Sequence, residues 1–368
     1  MAGVGTSRSI TATSHVWYLF ENWNGRCAIM VEPRVKEGAC SPLALKGVSF
    51  AVVGAGRLGT SLAVALKARG APLVGFVSHS LEGRIRASAA LRLAPASSIA
   101  ELVSLAPRMI LVTVPDDALS QVAGDLAQAL AQIPPSGTSG GSSRAPVPAA
   151  PIVIHSSGVS SVQVLAPCRE VGALTLAFHP LQTFTGAATA AERSFEGIAV
   201  AITAQEPSAA EFGFGVARAL GARPFLLDDG DRALYHAAAC VASNYLVTLE
   251  ASARKLFLEA GLPHDQVLDL FLPLVRSTLD NLAAQGTVRA LTGPLARGDE
   301  LTIQKHLSAL TLSTSGLLPL YRVLGLATLD LVSQAGEVPP DVIDRMYRLL
   351  RDEAAESTPL ETNDRGTS

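Results

Sequence analysis

Residues Val48–Gly70 read VSFAVVGAGRLGTSLAVALKARG. The first six form a short apolar run rich in β-branched residues and predict a buried strand. Gly54, Gly56 and Gly59 follow as GxGxxG, and the apolar spacing then takes the helical period until Gly70 stops it. Strand, glycine turn and helix in this order make a dinucleotide-binding opening. Gly54 permits the tight turn, Gly56 lets backbone approach a pyrophosphate, and Gly59 lets helix and strand pack closely. Arg57 and Leu58 complete the loop, and the helix N-terminus offers free N–H groups and partial positive charge to phosphates. The alternative is a glycine turn with no ligand.

The end of the next strand, Pro72–Val77, selects the nucleotide. An NAD site usually places Asp or Glu there to bind the ribose hydroxyls. This chain instead has Ser78, His79 and Ser80, with Arg84 and Arg86 just beyond. Hydroxyls and guanidinium suit a 2′-phosphate, so NADP is expected over NAD, with Arg57 as a further cation. A solvated helix face is the alternative for Arg84 and Arg86.

Outward from this unit, Met109–Val114, Ile152–Ile154, Ala173–Phe178, Ile198–Ile202 and Pro224–Leu227 predict further strands, with helices to Gln132 and over Ala209–Leu220. After Asp228 only helical spacing remains, in Ala233–Glu259, His264–Gln285, Asp299–Leu310, Leu317–Ala335 and Pro340–Ala355. The expected architecture is an α/β Rossmann-type parallel-sheet domain followed by an all-α domain. Residues 1–45 are expected to be a disordered extension, with Met30 as an alternative start, and 46–229 the dinucleotide-binding domain. Its Pro/Gly/Ser-rich stretch 134–151 reads as a flexible insertion. Residues 230–356 are the expected helical substrate and dimerisation domain, and 357–368 a tail.

Composition narrows the function classes. The 368 residues are 48% hydrophobic and 17% charged, with a net charge of −3. Wholesale disorder is excluded, and the low charge suits either much inward-facing surface or a large contact between subunits. No basic block points to nucleic acid. No run of about 20 apolar residues predicts a membrane span. Four separated cysteines without a CxxC pair give no disulfide framework and no metal site, and suit a reducing cytoplasm.

In open parallel sheets ligands gather at the carboxyl ends of the strands. Thr113-Val114-Pro115-Asp116, His155-Ser156-Ser157-Gly158 and His179-Pro180-Leu181-Gln182-Thr183 fall there. Val114 and Pro115 are assigned to the cofactor, Ser157 to the substrate, and His179 and His155 to proton transfer. Asp116 and Ser156 have helix capping as their alternative. The helix after Asp228 carries Tyr235, His236, Cys240, Ser243 and Asn244. The spacing of four predicts one stripe for His236, Cys240 and Asn244. Asn244 would orient the substrate, or simply hydrogen-bond to a packed helix.

GAGRLG, TVPDDAL, HSSG, FHPLQTF, LYHAAACVASNYLVTL and LTGPLARGD, in this order, resemble the Rossmann-like proteins that carry domain of unknown function 2520. The group is similar to the superfamily of pyrroline-5-carboxylate reductase, 6-phosphogluconate dehydrogenase and β-hydroxyacid dehydrogenase. That resemblance implies an NADP-type cofactor in the first domain and a helical second domain that often dimerises. β-Hydroxyacid dehydrogenases carry a catalytic lysine one turn before an asparagine, and here Cys240 stands in that place. Any proton donor is therefore another group, with His179, His155 and His236 as candidates and a pKa near 6.5 as their qualification. Thr292, Arg297 and Asp299 either cap a helix or meet the substrate. The expected activity is reduction or oxidation of a small carbonyl, imine or 2-hydroxy/2-oxo acid. The alternative is a dinucleotide sensor without turnover.

Overall fold

The computed structural model describes residues 9–12, 15–18, 45–132, 150–184 and 193–351. Contacts divide the chain into two units, Met1–Cys240 and Val241–Ser368. In the N-terminal extension β1 (Ser9–Ala12) pairs antiparallel with β2 (His15–Tyr18). The rest of that extension, Met30, nearly all of the 134–151 insertion, and the tail lie outside the described residues.

The first unit is built on a seven-stranded sheet. Its strands are β3 (Phe50–Val53), β4 (Leu73–Val77), β5 (Met109–Val112), β6 (Ile152–His155), β7 (Leu174–Pro180), β8 (Ala199–Ala204) and β9 (Arg223–Leu226). They lie in the order β4-β3-β5-β6-β7-β8-β9. Every residue of β3, β5 and β6 is buried, the pattern of central strands covered on both faces. Pro224 occupies β9, which among the described residues has only β8 beside it and so tolerates a missing N–H donor. All pairings are parallel except β7 with β8, where His179 stands opposite Ala201.

Helices cover both faces. Leu62 and Leu66 of α1 (Arg57–Ala68) and Leu91 of α2 (Leu81–Leu91) join Phe50, Val52, Leu111 and Ile154 in one core. Leu102 of α3 (Ile99–Ser104), Leu119 and Leu126 of α4 (Asp116–Ala131) and Cys168 of α5 (Ala166–Glu170) meet Ala51, Ile110 and Val153 in the other. Phe212 and Val216 of α6 (Pro207–Ala219) extend the first core. The alternation of sides along each strand follows from its two-residue period. The chain moves one way from β3 to β4 and the other way from β3 to β5. That reversal puts a crevice between the loops after β3 and β5.

One predicted helix is two. α7 (Arg232–Ala242) ends before Ser243, whose φ of −125° and ψ of −63° are not helical, and α8 (Asn244–Glu259) begins anew. Serine has a weaker helix preference than the alanine before it, which suits such a boundary. The single stripe expected for His236, Cys240 and Asn244 is therefore interrupted.

The second unit continues with α9 (Val267–Arg289), α10 (Glu300–Leu312), α11 (Leu318–Ala335) and α12 (Pro340–Arg351). Gly286 breaks α9 with φ 77° and ψ 175°. Ile303, Leu329, Val332, Met346 and Leu350 form the core of α10, α11 and α12. Gly325 lets Leu350 approach α11, since a Cβ there would stand 2.8 Å from it. No residue of α8 is buried, and only Val267 and Phe271 of α9 are. Among the described residues no helix is long and apolar enough to cross a membrane.

Candidate functional site

The glycine loop has the geometry its spacing predicts. Gly54 adopts φ +93°, and a Cβ there would lie 2.7 Å from Val114 Cγ1 and 2.8 Å from the Thr113 carbonyl carbon. A Cβ on Gly59 would run into Thr113 Oγ1 and stand 2.6 Å from the Gly54 carbonyl oxygen. At Gly56 a Cβ would meet only that oxygen, at 4.0 Å, so backbone faces open space. Two of the glycines thus serve packing, and the third leaves room for something outside the chain. Gly56 is also the N-cap of α1 and gives it no side-chain cap, leaving the first N–H groups free for an anion. Arg57 is exposed beside them, and Leu58 packs on the core.

Thr113 joins the two loops that border the crevice. Its hydroxyl donates to the Gly54 carbonyl at 2.7 Å, while the Gly54 and Ala55 N–H groups donate to the Val77 carbonyl. The loop is thereby fastened to β5 and β4 together. Val114 lies beyond the end of β5, against Gly54, and Pro115 is the N-cap of α4.

At the end of β4, Ser80 caps α2 by accepting the Gly83 N–H at 3.0 Å. That answers for its hydroxyl oxygen. Ser78 is half-buried, while His79 and Arg84 are exposed. Arg86 pairs with Glu82 at 3.3 Å across one helical turn. Arg86 is half-buried, with its Nε enclosed and without a partner, while Arg84 is exposed.

The second cluster stands at the carboxyl ends of β6 and β7. His179 Nδ1 is 2.9 Å from the Tyr235 hydroxyl, and the two rings meet edge to face at 5.4 Å. The His236 ring lies 6.0 Å from His179, and Cys240 Sγ is 4.0 Å from His236 Nδ1. Gly158 makes this approach possible, because a Cβ there would overlap the His236 ring and stand 2.8 Å from His179 Nε2. His155 is fully buried on β6, with Nδ1 accepting the Ser157 N–H at 3.3 Å and Nε2 without a partner.

The electrostatics differ from the expected near-neutral histidine. Burial, with help from the His236 and Arg232 charges and against Asp116, lowers the pKa of His179 to about 4. Burial and Arg232 bring His155 down to about 3, against the pull of Asp229. Both rings are neutral at pH 7. The Tyr235 phenol is raised to about 12 by burial, with Arg232 opposing, and keeps its proton. His155 is the more enclosed of the two and the harder to protonate.

Sequence reading missed Arg232. This guanidinium is 1% exposed and donates from Nε to the Ser160 carbonyl at 2.6 Å, from Nη1 to Thr203 Oγ1 at 2.8 Å, and from Nη2 to the Ser157 carbonyl. Asp229 accepts the Val162 N–H at 2.9 Å and the Ser161 hydroxyl. The two residues hold the 157–162 loop against α7. The run Asp228-Asp229-Gly230-Asp231-Arg232 was the available signal, four polar residues leading an otherwise apolar helix. Ser157 Oγ accepts the Ser160 N–H at 2.9 Å and the Val159 N–H at 3.2 Å, which leaves its proton for a ligand.

Neither Asp116 nor Ser156 caps a helix; Ser156 Oγ is buried without a partner, and α4 has no side-chain cap. Asp299 does cap α10, accepting the Thr302 N–H at 3.0 Å and its hydroxyl at 2.7 Å. Ser157, His179, Tyr235, His236 and Cys240 come together in the first unit. Asn244 is an exposed residue at the first position of α8 in the second. Among the described residues no group of three metal-binding side chains forms.

Residues 35–180 match the family model of a Rossmann-like domain, and residues 198–328 match that of domain of unknown function DUF2520. A Bacteroides fragilis protein provisionally described as an NADP oxidoreductase superposes with a TM-score of 0.59 at 22% identity, over 80% of this chain and 100% of that one. A Thermotoga maritima protein gives 0.51 at 18%, over 83% and 98%. At these identities the likeness is one of fold. No curated protein matches the chain.

Proposed function

We propose that this chain, a Rossmann-like domain followed by a DUF2520 domain, is an NADP-dependent oxidoreductase of a small carbonyl, imine or 2-hydroxy/2-oxo acid. The observation that carries the reading is the glycine loop: two glycines packed against Thr113 and Val114, and a third facing open space before an uncapped helix. This cradle fits a pyrophosphate. Arg57, Ser78, His79, Ser80 and Arg84 are assigned to the adenosine side, and no carboxylate stands among residues 78–80 to repel a 2′-phosphate. The description of the Bacteroides fragilis protein agrees with this assignment.

Bound there, a nicotinamide dinucleotide supplies a hydride donor or acceptor. The chain's own part is to bind and orient. Val114 and Pro115 line the loop beside the glycines. His179 offers an uncharged ring to the reacting oxygen or nitrogen, the Ser157 hydroxyl offers a proton to a second polar group, and His236 is the reserve donor. Asn244 is assigned to substrate orientation. NADPH oxidation by the purified protein against 2-oxo acids, ketopantoate and cyclic imines tests the reading. The expected result is turnover that falls about 10²–10³-fold in His179→Ala, as for removal of one donor to a developing oxyanion, with NADPH affinity kept. Asn244→Ala should act mainly on KM. NADPH binding without turnover of any candidate would favour the sensor.

We also assign the protein to the cytoplasm as a homodimer. Cys168 and Cys240 are free thiols. Tyr245, Val247, Leu270 and Leu274 are 62%, 70%, 55% and 66% exposed, an apolar surface that a second copy would cover. Sedimentation of the wild type and of Leu274→Glu checks this, with a monomeric wild type as the contrary result.

A further inference from the structure

The contact between Tyr235 and His179 has two possible arrangements, since either group can supply the proton. If Nδ1 carries the ring proton and donates it, the phenol proton has no acceptor among the described residues, and Nε2 is a bare lone pair. Two polar groups then lack partners. If the phenol donates, its proton is used, and only the Nε2–H remains free. The second arrangement leaves fewer polar groups without a protein partner and is therefore favoured. His155 has the same form, since its Nδ1 accepts the Ser157 N–H and its proton must sit on Nε2.

The free edge of His179 faces Gly158. Any side chain at that position would crowd Nε2 and overlap the His236 ring, and glycine removes that crowding. Phe225 packs on Tyr235 at 6.0 Å and helps to fix the phenol.

We infer that Tyr235 is a positioning residue: its phenol donates to Nδ1 and holds His179 as the Nε2–H tautomer, a neutral hydrogen-bond donor to a carbonyl oxygen. The carbonyl part rests on the proposed reaction, whereas the tautomer belongs to the protein alone. Burial and the Arg232 and His236 charges keep the ring uncharged, and Asp116, which opposes them, does not restore a near-neutral pKa. A neutral N–H polarises an acceptor oxygen without being a strong acid. An iminium nitrogen presents N–H or carbon and no lone pair, so it has nothing to accept this bond. A carbonyl oxygen and a neutral imine nitrogen both keep a lone pair that can, so iminium ions fall outside the substrate class of this donor.

Imidazole ¹⁵N NMR of the full chain without cofactor or substrate tests the tautomer, with the His179 signals assigned by their loss in His179→Gln. The expected wild-type pattern is a bare Nδ1 and a protonated Nε2 at pH 7. In Tyr235→Phe the two tautomers should mix, turnover of a ketone should fall about two- to tenfold, and NADPH affinity should stay constant. An Nδ1–H pattern in the wild type overturns the inference by itself, whether or not the variant folds. An unchanged Nε2–H pattern in folded Tyr235→Phe also overturns it. The spectrum is read without turnover, so it succeeds or fails independently of the proposed reaction.

Discussion

Gly56 and Gly59 are three residues apart and answer to different forces. A methyl on Gly59 collides with the Gly54 carbonyl and Thr113, both held in place by hydrogen bonds. Gly59→Ala should therefore cost about 1–3 kcal/mol of stability, the usual range for overpacking. A methyl on Gly56 meets nothing closer than 4.0 Å, and its φ of −75° suits alanine. Gly56→Ala should leave the melting temperature unchanged or slightly raised and still weaken NADPH binding, because the methyl occupies the space assigned to the pyrophosphate. Calorimetric unfolding and titration of both variants check the pair. Equal loss of stability in both would remove the distinction. Sequence spacing alone predicted the turn at Gly54 and the close packing at Gly59, because the motif encodes local backbone geometry. It did not show that Thr113 ties the glycine loop to β5, since residues 54 and 113 meet only across the sheet.

At the scale of elements, the central strands were legible because they are continuous apolar runs buried on both faces. Two features were not. The antiparallel β7–β8 pair has the composition of a parallel one, and direction is set by the connection between strands. The break at Ser243 falls inside uninterrupted helical spacing, where no Gly or Pro marks it. The candidate site was legible in part. His179 and His236 do meet, but the clamp between α7 and the 157–162 loop depends on Arg232, which sequence reading passed over. Arg232→Met would leave the Ser157 and Ser160 carbonyls and the Thr203 hydroxyl without this donor. The expected cost is about 3 kcal/mol, measured by denaturant unfolding. A change within about 0.5 kcal/mol, the scale of an ordinary surface substitution, would contradict the clamp.

For the whole molecule, the buried histidines set the response to acid. His155 and His179 have pKa values of about 3 and about 4 when folded, below the ordinary 6.5 of the unfolded chain. Between those values the unfolded state binds more protons, so stability falls as pH falls. The loss begins below about pH 6.5 and reaches about 3 kcal/mol for each ring by pH 4. The slope fades as pH rises through 6.5 and is gone about one unit above it. Urea unfolding from pH 7 to pH 4 should show this acid limb, and His179→Gln should flatten it. An unchanged limb in a folded His179→Gln would contradict the assignment.

The glycine loop of the first unit and the carboxylate-free end of β4 together form the proposed NADP site. Isothermal titration of the full-length protein with NADPH and with NADH, at equal ionic strength, addresses it most directly. The expected result is saturable binding of NADPH, several-fold or more tighter than NADH, with the preference reduced in Ser78→Asp as the new carboxylate repels the 2′-phosphate. Equal or reversed affinities would contradict the NADP assignment, and binding of neither nucleotide would contradict the dinucleotide site itself.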